Sequence, residues 1–291
     1  MDEYTKNKEL FLAQKQAEKD AYLNGVRDAL ERLPANPSEF SRYLTIQGRL
    51  PDYSVGNALS IVRYCPDARV VRLYANWEKL GYKPKVGMKG IPVLVPGTEY
   101  TRPDGTHGRH YDLRKAFDIS HLQGSPALPL RPGNRVLLRG LMEYQAGGWE
   151  YTSVKDGPDA LYDPLSNSIS IREQQPIQYL FPALAREISV ADLMMREGGT
   201  YEDVLPRAIC IAWMLCSHYE LPPANLKLPQ PEAVMGTDPR DYRRQLDRLR
   251  LPVMSMVNSV ENVVRRQERA KEAETDPGPV REEKTTETEL I

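Results

Sequence analysis

The chain has 291 residues, 41% of them hydrophobic and 27% charged, and its formal net charge is -1. This is the composition of an ordinary soluble protein that is long enough for two domains. The longest apolar run, residues 208–216, is far too short to span a bilayer, and the first residues do not lead into a signal-peptide region. The three cysteines form neither an even disulfide framework nor a metal-binding spacing. We therefore expect a cytoplasmic protein without a membrane segment.

The first half of the chain predicts an α+β unit. Residues 2–33 contain no proline and favour a helix, which ends at the breakers Pro34 and Pro37. Two further helices are predicted at 38–48 and 54–64, the second with Ser54 as its N-cap. After these helices the apolar period shortens, and strands are predicted at 70–74, 91–96 and 116–119, with a Lys/Gly-rich turn at 81–90.

Proline and glycine become frequent at 124–133, and we place a domain boundary there. The second half begins with short predicted strands at 135–138, 149–151 and 168–171. Helices are predicted at 176–197, 201–219 and 241–274, the last of them interrupted at Pro252. The remaining residues, 275–291, are polar and acidic and predict a disordered tail.

Positive charge is concentrated between Arg42 and Lys115, where 13 basic residues stand against 6 acidic ones. Within this region, aromatic residues alternate with Lys and Arg over 53–96. Single-stranded DNA requires this mixture, because rings stack on unpaired bases for roughly 1–3 kcal/mol each while cations bind phosphates. A half-buried β-surface shows the same pattern, and in that interpretation Tyr74 and Trp77 are core residues. Composition alone leaves both interpretations open.

Several separated motifs of this half resemble the N-terminal domain of the ArdC-like antirestriction proteins. They are Tyr53-Ser54-Val55-Gly56-Asn57, Cys65-Pro66-Asp67-Ala68, Trp77-Glu78-Lys79-Leu80-Gly81, Lys85-Val86-Gly87-Met88-Lys89-Gly90 and Phe117-Asp118-Ile119-Ser120. The resemblance covers about residues 38–124. It implies a domain that binds single-stranded DNA with little sequence preference, in proteins of plasmids, conjugative elements and phages.

The candidate nucleic-acid-binding residues are of two kinds. Some stand at the positions carried over from that resemblance, and the others are basic and aromatic residues near them. The candidates are Tyr53, Ser54, Asn57, Arg63, Arg72, Tyr74, Trp77, Lys83, Lys85 and Lys89. We expect Trp77 and Tyr53 to stack on bases or to support the surface that stacks. Ser54 and Asn57 are expected to form hydrogen bonds with phosphates or base edges, and the lysines to bind phosphates. In the alternative interpretation Ser54 is only a helix cap and Asn57 only a polar surface residue.

The second half resembles the zincin-like domain that follows in the same family, but without its metal ligands. That domain carries His-Glu-x-x-His on a helix and a further Glu on a later helix. The two imidazoles lie one helical turn apart and bind one zinc ion, and the Glu between them acts as the general base. Here Arg186 and Val190 stand in place of the two histidines, and Ile209 in place of the later Glu. Only Glu187 is retained, and we interpret it as a surface or packing residue. We expect no zinc, no other cofactor, no catalytic residue and no peptidase activity.

These observations predict an α+β chain in four parts. Residues 1–125 form an ArdC-type single-stranded-DNA-binding domain with a leading helix, and 126–235 a degenerate zincin-like metallopeptidase domain. A helical extension at 236–274 and the acidic tail at 275–291 follow.

The leading hypothesis is a non-enzymatic protein of a mobile element that binds single-stranded DNA and protects it. Its second domain would serve as a scaffold or bind a protein partner. One alternative is an interaction protein whose basic face binds an acidic protein. The other is a metal-dependent hydrolase that uses Glu187 with noncanonical ligands.

Overall fold

The structure is a computed structural model that describes residues 3–124, 126–144 and 148–275. The predicted acidic tail, apart from its first residue, lies outside the described residues. Among the described residues, no helix combines the length and the apolar character that crossing a membrane requires.

The chain begins with three helices, as the sequence predicts. They are α1 (Glu3–Arg32), α2 (Pro37–Arg49) and α3 (Val55–Tyr64). Polar side chains cap the second and third helices: the Asn36 side chain accepts a hydrogen bond from the Glu39 amide, and the Ser54 side chain accepts one from the Asn57 amide. Each cap satisfies one of the amides that a helix leaves free at its start.

A three-stranded antiparallel sheet follows. Its elements are β1 (Val71–Leu73), α4 (Tyr74–Lys79), β2 (Ile91–Thr101) and β3 (His107–Asp118), and the strand order is β1-β3-β2. One face packs on α2 and α3 through Ile46, Ile61, Ile91, Val93 and Ala116. Two predictions need correction: β2 and β3 are longer than predicted, and the expected strand at 70–74 ends at Leu73, where α4 begins.

Helix α3 also covers the free edge of β2. The Asn57 side chain accepts from the Leu94 amide and donates to the Leu94 carbonyl, both at 2.8 Å, while the Ser60 hydroxyl donates to the Pro92 carbonyl at 2.6 Å. These side chains bond to the backbone groups that a further strand would use, and they protect an edge that could otherwise pair with another chain. The edge position also accounts for Pro92 and Pro96 within β2, because an edge strand tolerates a residue without an N–H group.

The second half contains a small mixed sheet and five helices among the described residues. They are α5 (Asn134–Met142), β4 (Glu150–Val154), β5 (Ala160–Asp163), β6 (Ser168–Arg172), α6 (Ile177–Glu197), α7 (Tyr201–His218), α8 (Glu232–Met235) and α9 (Tyr242–Thr275). The strand order is β4-β6-β5, with β4 parallel and β5 antiparallel to the central β6.

Two predictions for this half are wrong. The expected strand at 135–138 is helix α5, because Leu137, Gly140 and Leu141 are buried at helical spacing. At Gly140, a Cβ atom would lie 2.5 Å from the Cα atom of Val260, so glycine allows α5 to approach α9 closely. Helix α9 is not interrupted at Pro252, because burial of the apolar face around this residue outweighs the lost backbone hydrogen bond.

The main hydrophobic core draws on both halves of the chain. Tyr22 and Phe40 from the first half share it with Leu137, Phe181 and Val253 from the second. The predicted α+β class with helical segments at both ends is confirmed. The predicted domain boundary at 125/126 stays a prediction.

Candidate nucleic-acid interface

The sheet face opposite α2 and α3 is built around the Phe117 ring. Side chains alternate along β3, so Phe117 and Lys115 point away from the core that Ala116 faces. Arg72 of β1 is the register partner of Phe117 and lies on the same face. The Tyr74 ring meets Phe117 edge-on, with 6.3 Å between the ring centroids. One buried ring therefore has a guanidinium group, an ammonium group and an exposed ring around it.

The Lys/Gly-rich loop at 81–90 runs along the end of β3. The Lys85 amide donates to the His121 carbonyl and the Gln123 amide to the Lys83 carbonyl, both at 2.9 Å. The Lys85 ammonium group donates to the Ser120 carbonyl at 2.8 Å. These three bonds fix Lys83 and Lys85 beside the end of β3.

The glycines of this loop have separate functions. Gly81 and Gly87 have φ values of +81° and +78°, which glycine adopts without strain. Gly90 has an ordinary φ but lies so close to β3 that a Cβ atom there would be 2.7 Å from the Cβ of Lys115 and 3.0 Å from the Phe117 ring. The loop thus rejoins the sheet at the Phe117 face.

We call the exposed groups of this region the basic–aromatic surface. Its members are Arg72, Tyr74, Lys83, Lys85, Lys89 and Lys115, all of them exposed. Tyr74 is 39% exposed and presents an accessible ring. Within 70–90 the sequence has five basic residues and one acid, Glu78, whose carboxylate accepts a hydrogen bond from the Tyr74 hydroxyl at 3.2 Å. The surface therefore combines an excess of positive charge with an exposed aromatic ring.

Trp77 is buried beneath the basic–aromatic surface and supports it. It is only 3% exposed, and its indole N–H donates to the Phe117 carbonyl at 2.8 Å. The Arg72 guanidinium lies 5.3 Å from the centroid of its ring, within the range of a cation–π contact. Of the two roles predicted for Trp77, stacking on a base is wrong for this conformation because the ring is buried, and the supporting role fits the contacts.

The predicted group Tyr53, Ser54 and Asn57 is also less accessible than expected. The Tyr53 hydroxyl donates to the Val71 carbonyl at 3.2 Å, and burial raises the pKa of Tyr53 to about 12. Asn57 is buried in the contacts with β2 described above and accepts a further hydrogen bond from the Tyr22 hydroxyl at 2.8 Å. Ser54 is exposed but caps α3. Direct contact of Asn57 with DNA is therefore wrong for this conformation.

Arg63 lies apart from the other candidates. A side chain at Gly25 of α1 would collide with the Arg63 guanidinium, so this residue packs against α1. Its guanidinium carbon lies 5.7 Å from the centroid of the neighbouring Tyr64 ring. The structure thus brings Arg72, Tyr74, Lys83, Lys85 and Lys89 together but places Arg63 elsewhere.

The structure adds three residues that were not among the candidates: Lys115, Phe117 and Asp118. The buried Asp118 carboxylate accepts from the amides of Arg69, Val70 and Ser120 at 2.8, 3.0 and 2.9 Å. The Asp118 carboxylate therefore holds the start of β1 against the end of β3. The Phe-Asp-Ile-Ser motif was visible in the sequence, and an aspartate followed two residues later by a serine is the signal that could have marked it as a support for this surface.

In the second half, Glu187 is fully buried, so of the two interpretations given for it the packing role fits and the surface role is wrong. Its carboxylate accepts from the Tyr162 amide at 2.9 Å, the Arg186 Nε–H at 2.6 Å and the Tyr201 hydroxyl at 3.0 Å. Burial raises the pKa of Tyr201 to about 12, so its hydroxyl stays protonated and donates. Glu187 joins α6 to β5 and α7.

The other three positions that the sequence resemblance assigns to a degenerate metal site carry side chains that are not metal ligands. Arg186 makes the ion pair with Glu187, Val190 is buried, and Ile209 is half-buried against the main core. Across the part of the chain that the structure describes, no group of three or more His, Cys, Asp or Glu side chains could hold a metal ion.

Fold and surface together define an α+β protein with a basic–aromatic face on its N-terminal half. No family model and no curated protein matches the chain. The metal-free crystal structure of the antirestriction protein ArdC from plasmid R388 matches it with a TM-score of 0.49 and 16% identity, over 81% of this chain and 98% of that one. The Mn(II)-bound crystal structure matches with a TM-score of 0.49 and 15% identity, over 83% and 98%.

The manganese ion belongs to the ArdC structure.

Proposed function

We propose that this chain binds single-stranded DNA, with little sequence preference, through the basic–aromatic surface. The observation that carries the proposal is the exposed Tyr74 ring, which packs edge-on against Phe117 on the sheet face that also carries Arg72 and Lys115. Phosphates attract the cations, and a flexible strand can place a base on the ring. The bases of duplex DNA are stacked on one another and offer no free face to a ring. Single strands are therefore expected to bind more tightly than duplexes.

The sequence resemblance to ArdC-like proteins leads us to propose protection of DNA against restriction as the biological role. Binding without base readout suits this role, because a protective protein must cover DNA of any sequence. The second half would serve as a scaffold or bind a protein partner.

Replacing Tyr74 with alanine is expected to weaken oligonucleotide binding by about 1–3 kcal/mol, roughly 5- to 150-fold, through loss of one stacking platform. Fluorescence anisotropy with a labelled oligothymidine at 0.05 and 0.2 M salt measures the effect. Tyr74→Phe keeps the ring and should bind like the natural chain. Tyr179→Ala removes a tyrosine that is also 39% exposed but lies on α6, and should change nothing.

Two outcomes would contradict the proposal. One is a dissociation constant of the natural chain that does not depend on salt, because phosphate contacts require a negative slope. The other is equal binding by Tyr74→Ala and Tyr74→Phe. If the chain captured an acidic protein but no oligonucleotide, the basic face would serve a protein partner instead.

We further propose that the second half has no peptidase activity. Arg186 and Val190 supply no metal ligand, and Glu187 is held by three donors instead of facing a reactive water. Elemental analysis of the purified chain is expected to find zinc and manganese well below one ion per chain. A stoichiometric metal that a chelator removes, together with peptide hydrolysis, would contradict this expectation.

A further inference from the structure

A cleft of about 590 Å³ lies between the two halves of the chain. The end of α2 and the start of β1 line it on one side, the end of α7 and the middle of α9 on the other, and residues 128–132 complete its rim. Its volume falls in the range of cavities that hold small organic ligands. The basic–aromatic surface does not include this cleft.

The cleft contains hydrogen-bond donors that lack acceptors. Tyr219 lines it and is 5% exposed, and its buried hydroxyl has no hydrogen-bond partner in the structure. Arg49 also lines it, and its buried Nε–H likewise has no acceptor. A buried polar group without a partner costs about 1–3 kcal/mol. An acceptor-rich ligand would remove both costs if the two side chains turned slightly toward the cleft.

The two residues are close together because of His218. Its Nδ1–H donates to the Gly48 carbonyl at 3.0 Å, which ties the end of α7 to the end of α2. Burial lowers the pKa of His218, so the imidazole is neutral and this bond persists at neutral pH. Tyr219 and Arg49 directly follow the bonded residues, and both line the cleft.

Two arginines of the cleft have no carboxylate partner among the residues that the structure describes, although each donates a hydrogen bond at its rim: Arg49 donates to the Ala68 carbonyl at 3.1 Å, and Arg131 donates to the Asn134 side chain at 3.2 Å. Arg69 pairs with Glu220, and Arg265 pairs with Glu261. Within the described ranges, Arg49 and Arg131 form no ion pair, and Glu268 is the remaining carboxylate of the lining. Two guanidinium groups and a protonated phenol suit the oxygens of a phosphate group.

The walls beside these donors are apolar. Val70, just before β1, and Val71, its first residue, line the cleft on one side, and Val260 and Val264 of α9 line it on the other. A flat ring could occupy the space between them, which is the requirement for a base attached to the phosphate.

We propose that this cleft binds one nucleotide, with its phosphate on Arg49, Arg131 and Tyr219 and its base between the valines of β1 and α9. The choice of a nucleotide over another flat anion rests on the proposed function. Continuity also favours it, because two successive residues of β1 belong to the two regions: Val71 lines the cleft, and Arg72 lies on the basic–aromatic surface.

Isothermal titration of the full chain with deoxythymidine 5′-monophosphate tests the proposal, with thymidine and inorganic phosphate as partial ligands. The mononucleotide is expected to bind at least about tenfold more tightly than either partial ligand. Tyr219→Phe should weaken its binding by roughly tenfold, the loss of one hydrogen bond to a charged acceptor. Arg131→Gln, at an exposed position, should have a similar effect without a change in folding.

Tyr219→Phe is also expected to melt no lower than the natural chain, because it removes a hydroxyl that has no partner. Lys83→Ala/Lys85→Ala/Lys89→Ala should bind the mononucleotide normally. Equal affinity for the mononucleotide and phosphate, or unchanged binding by both cleft variants, would overturn the inference. Failure of oligonucleotide binding with intact mononucleotide binding would overturn the proposed function alone.

Discussion

Glu187→Ala is expected to lower the free energy of unfolding by about 3–5 kcal/mol, the usual cost of removing one partner of a buried ion pair. The substitution leaves the Arg186 guanidinium, the Tyr162 amide and the Tyr201 hydroxyl without their common acceptor. The Arg186 side chain is 23% exposed, so water compensates for only part of the loss. Urea denaturation followed by circular dichroism measures the change.

Glu197→Ala provides the matched control on the same helix. The Glu197 side chain is 33% exposed and pairs with Arg207, so water can replace part of the interaction and its loss should cost less than that of the fully buried Glu187, about 1–2 kcal/mol. Glu187→Gln preserves the volume but removes the charge and should fall between the two. If Glu187→Ala were as stable as Glu197→Ala, Glu187 would not join α6 to β5 and α7 as described.

Replacing the three loop lysines with alanine, in Lys83→Ala/Lys85→Ala/Lys89→Ala, is expected to weaken oligonucleotide binding roughly 50-fold at 0.15 M salt. Each phosphate contact on a single strand contributes about 0.7 to the slope of log K against log salt concentration, so the slope should become shallower by about 2. The Lys85 ammonium already donates to the Ser120 carbonyl, which makes these values upper limits. Binding titrations at four salt concentrations give both quantities.

Lys8→Ala/Lys155→Ala/Lys227→Ala removes three exposed lysines outside the surface and changes the net charge equally. It should leave the slope within experimental error of the natural one. Equal slopes for the two triple variants would show that general charge, and not this loop, attracts the DNA.

Much of the fold could be predicted from the sequence, because caps, breakers and apolar spacing are local signals. Helices α2, α3, α6 and α7 lie within one or two residues of their predicted bounds. The run at 135–138 could not be assigned, because a short apolar stretch has no decisive period and only packing against α9 makes it a helix. The predicted interruption at Pro252 was wrong for the same reason. The lost backbone hydrogen bond is a local effect that the sequence shows, whereas the burial that offsets it depends on tertiary packing.

The candidate site was predicted in part. The loop lysines, Arg72 and Tyr74 share one surface, as their spacing in the sequence suggested. Trp77 and Asn57 could not be placed, because a residue that binds DNA and one that supports the binding surface leave the same pattern in a sequence. The cleft at Tyr219 could not be predicted at all, since it depends on contact between segments some 170 residues apart.

The central claim is that single-stranded DNA lies on the basic–aromatic surface. Ultraviolet crosslinking of the full chain to an oligonucleotide containing 5-bromodeoxyuridine, followed by peptide mapping, tests it most directly. We predict crosslinks within 72–90 and 115–121, with Tyr74 foremost among them. Crosslinks confined to α9 or to the turn between β2 and β3, with none at Tyr74 or the loop lysines, would contradict the claim.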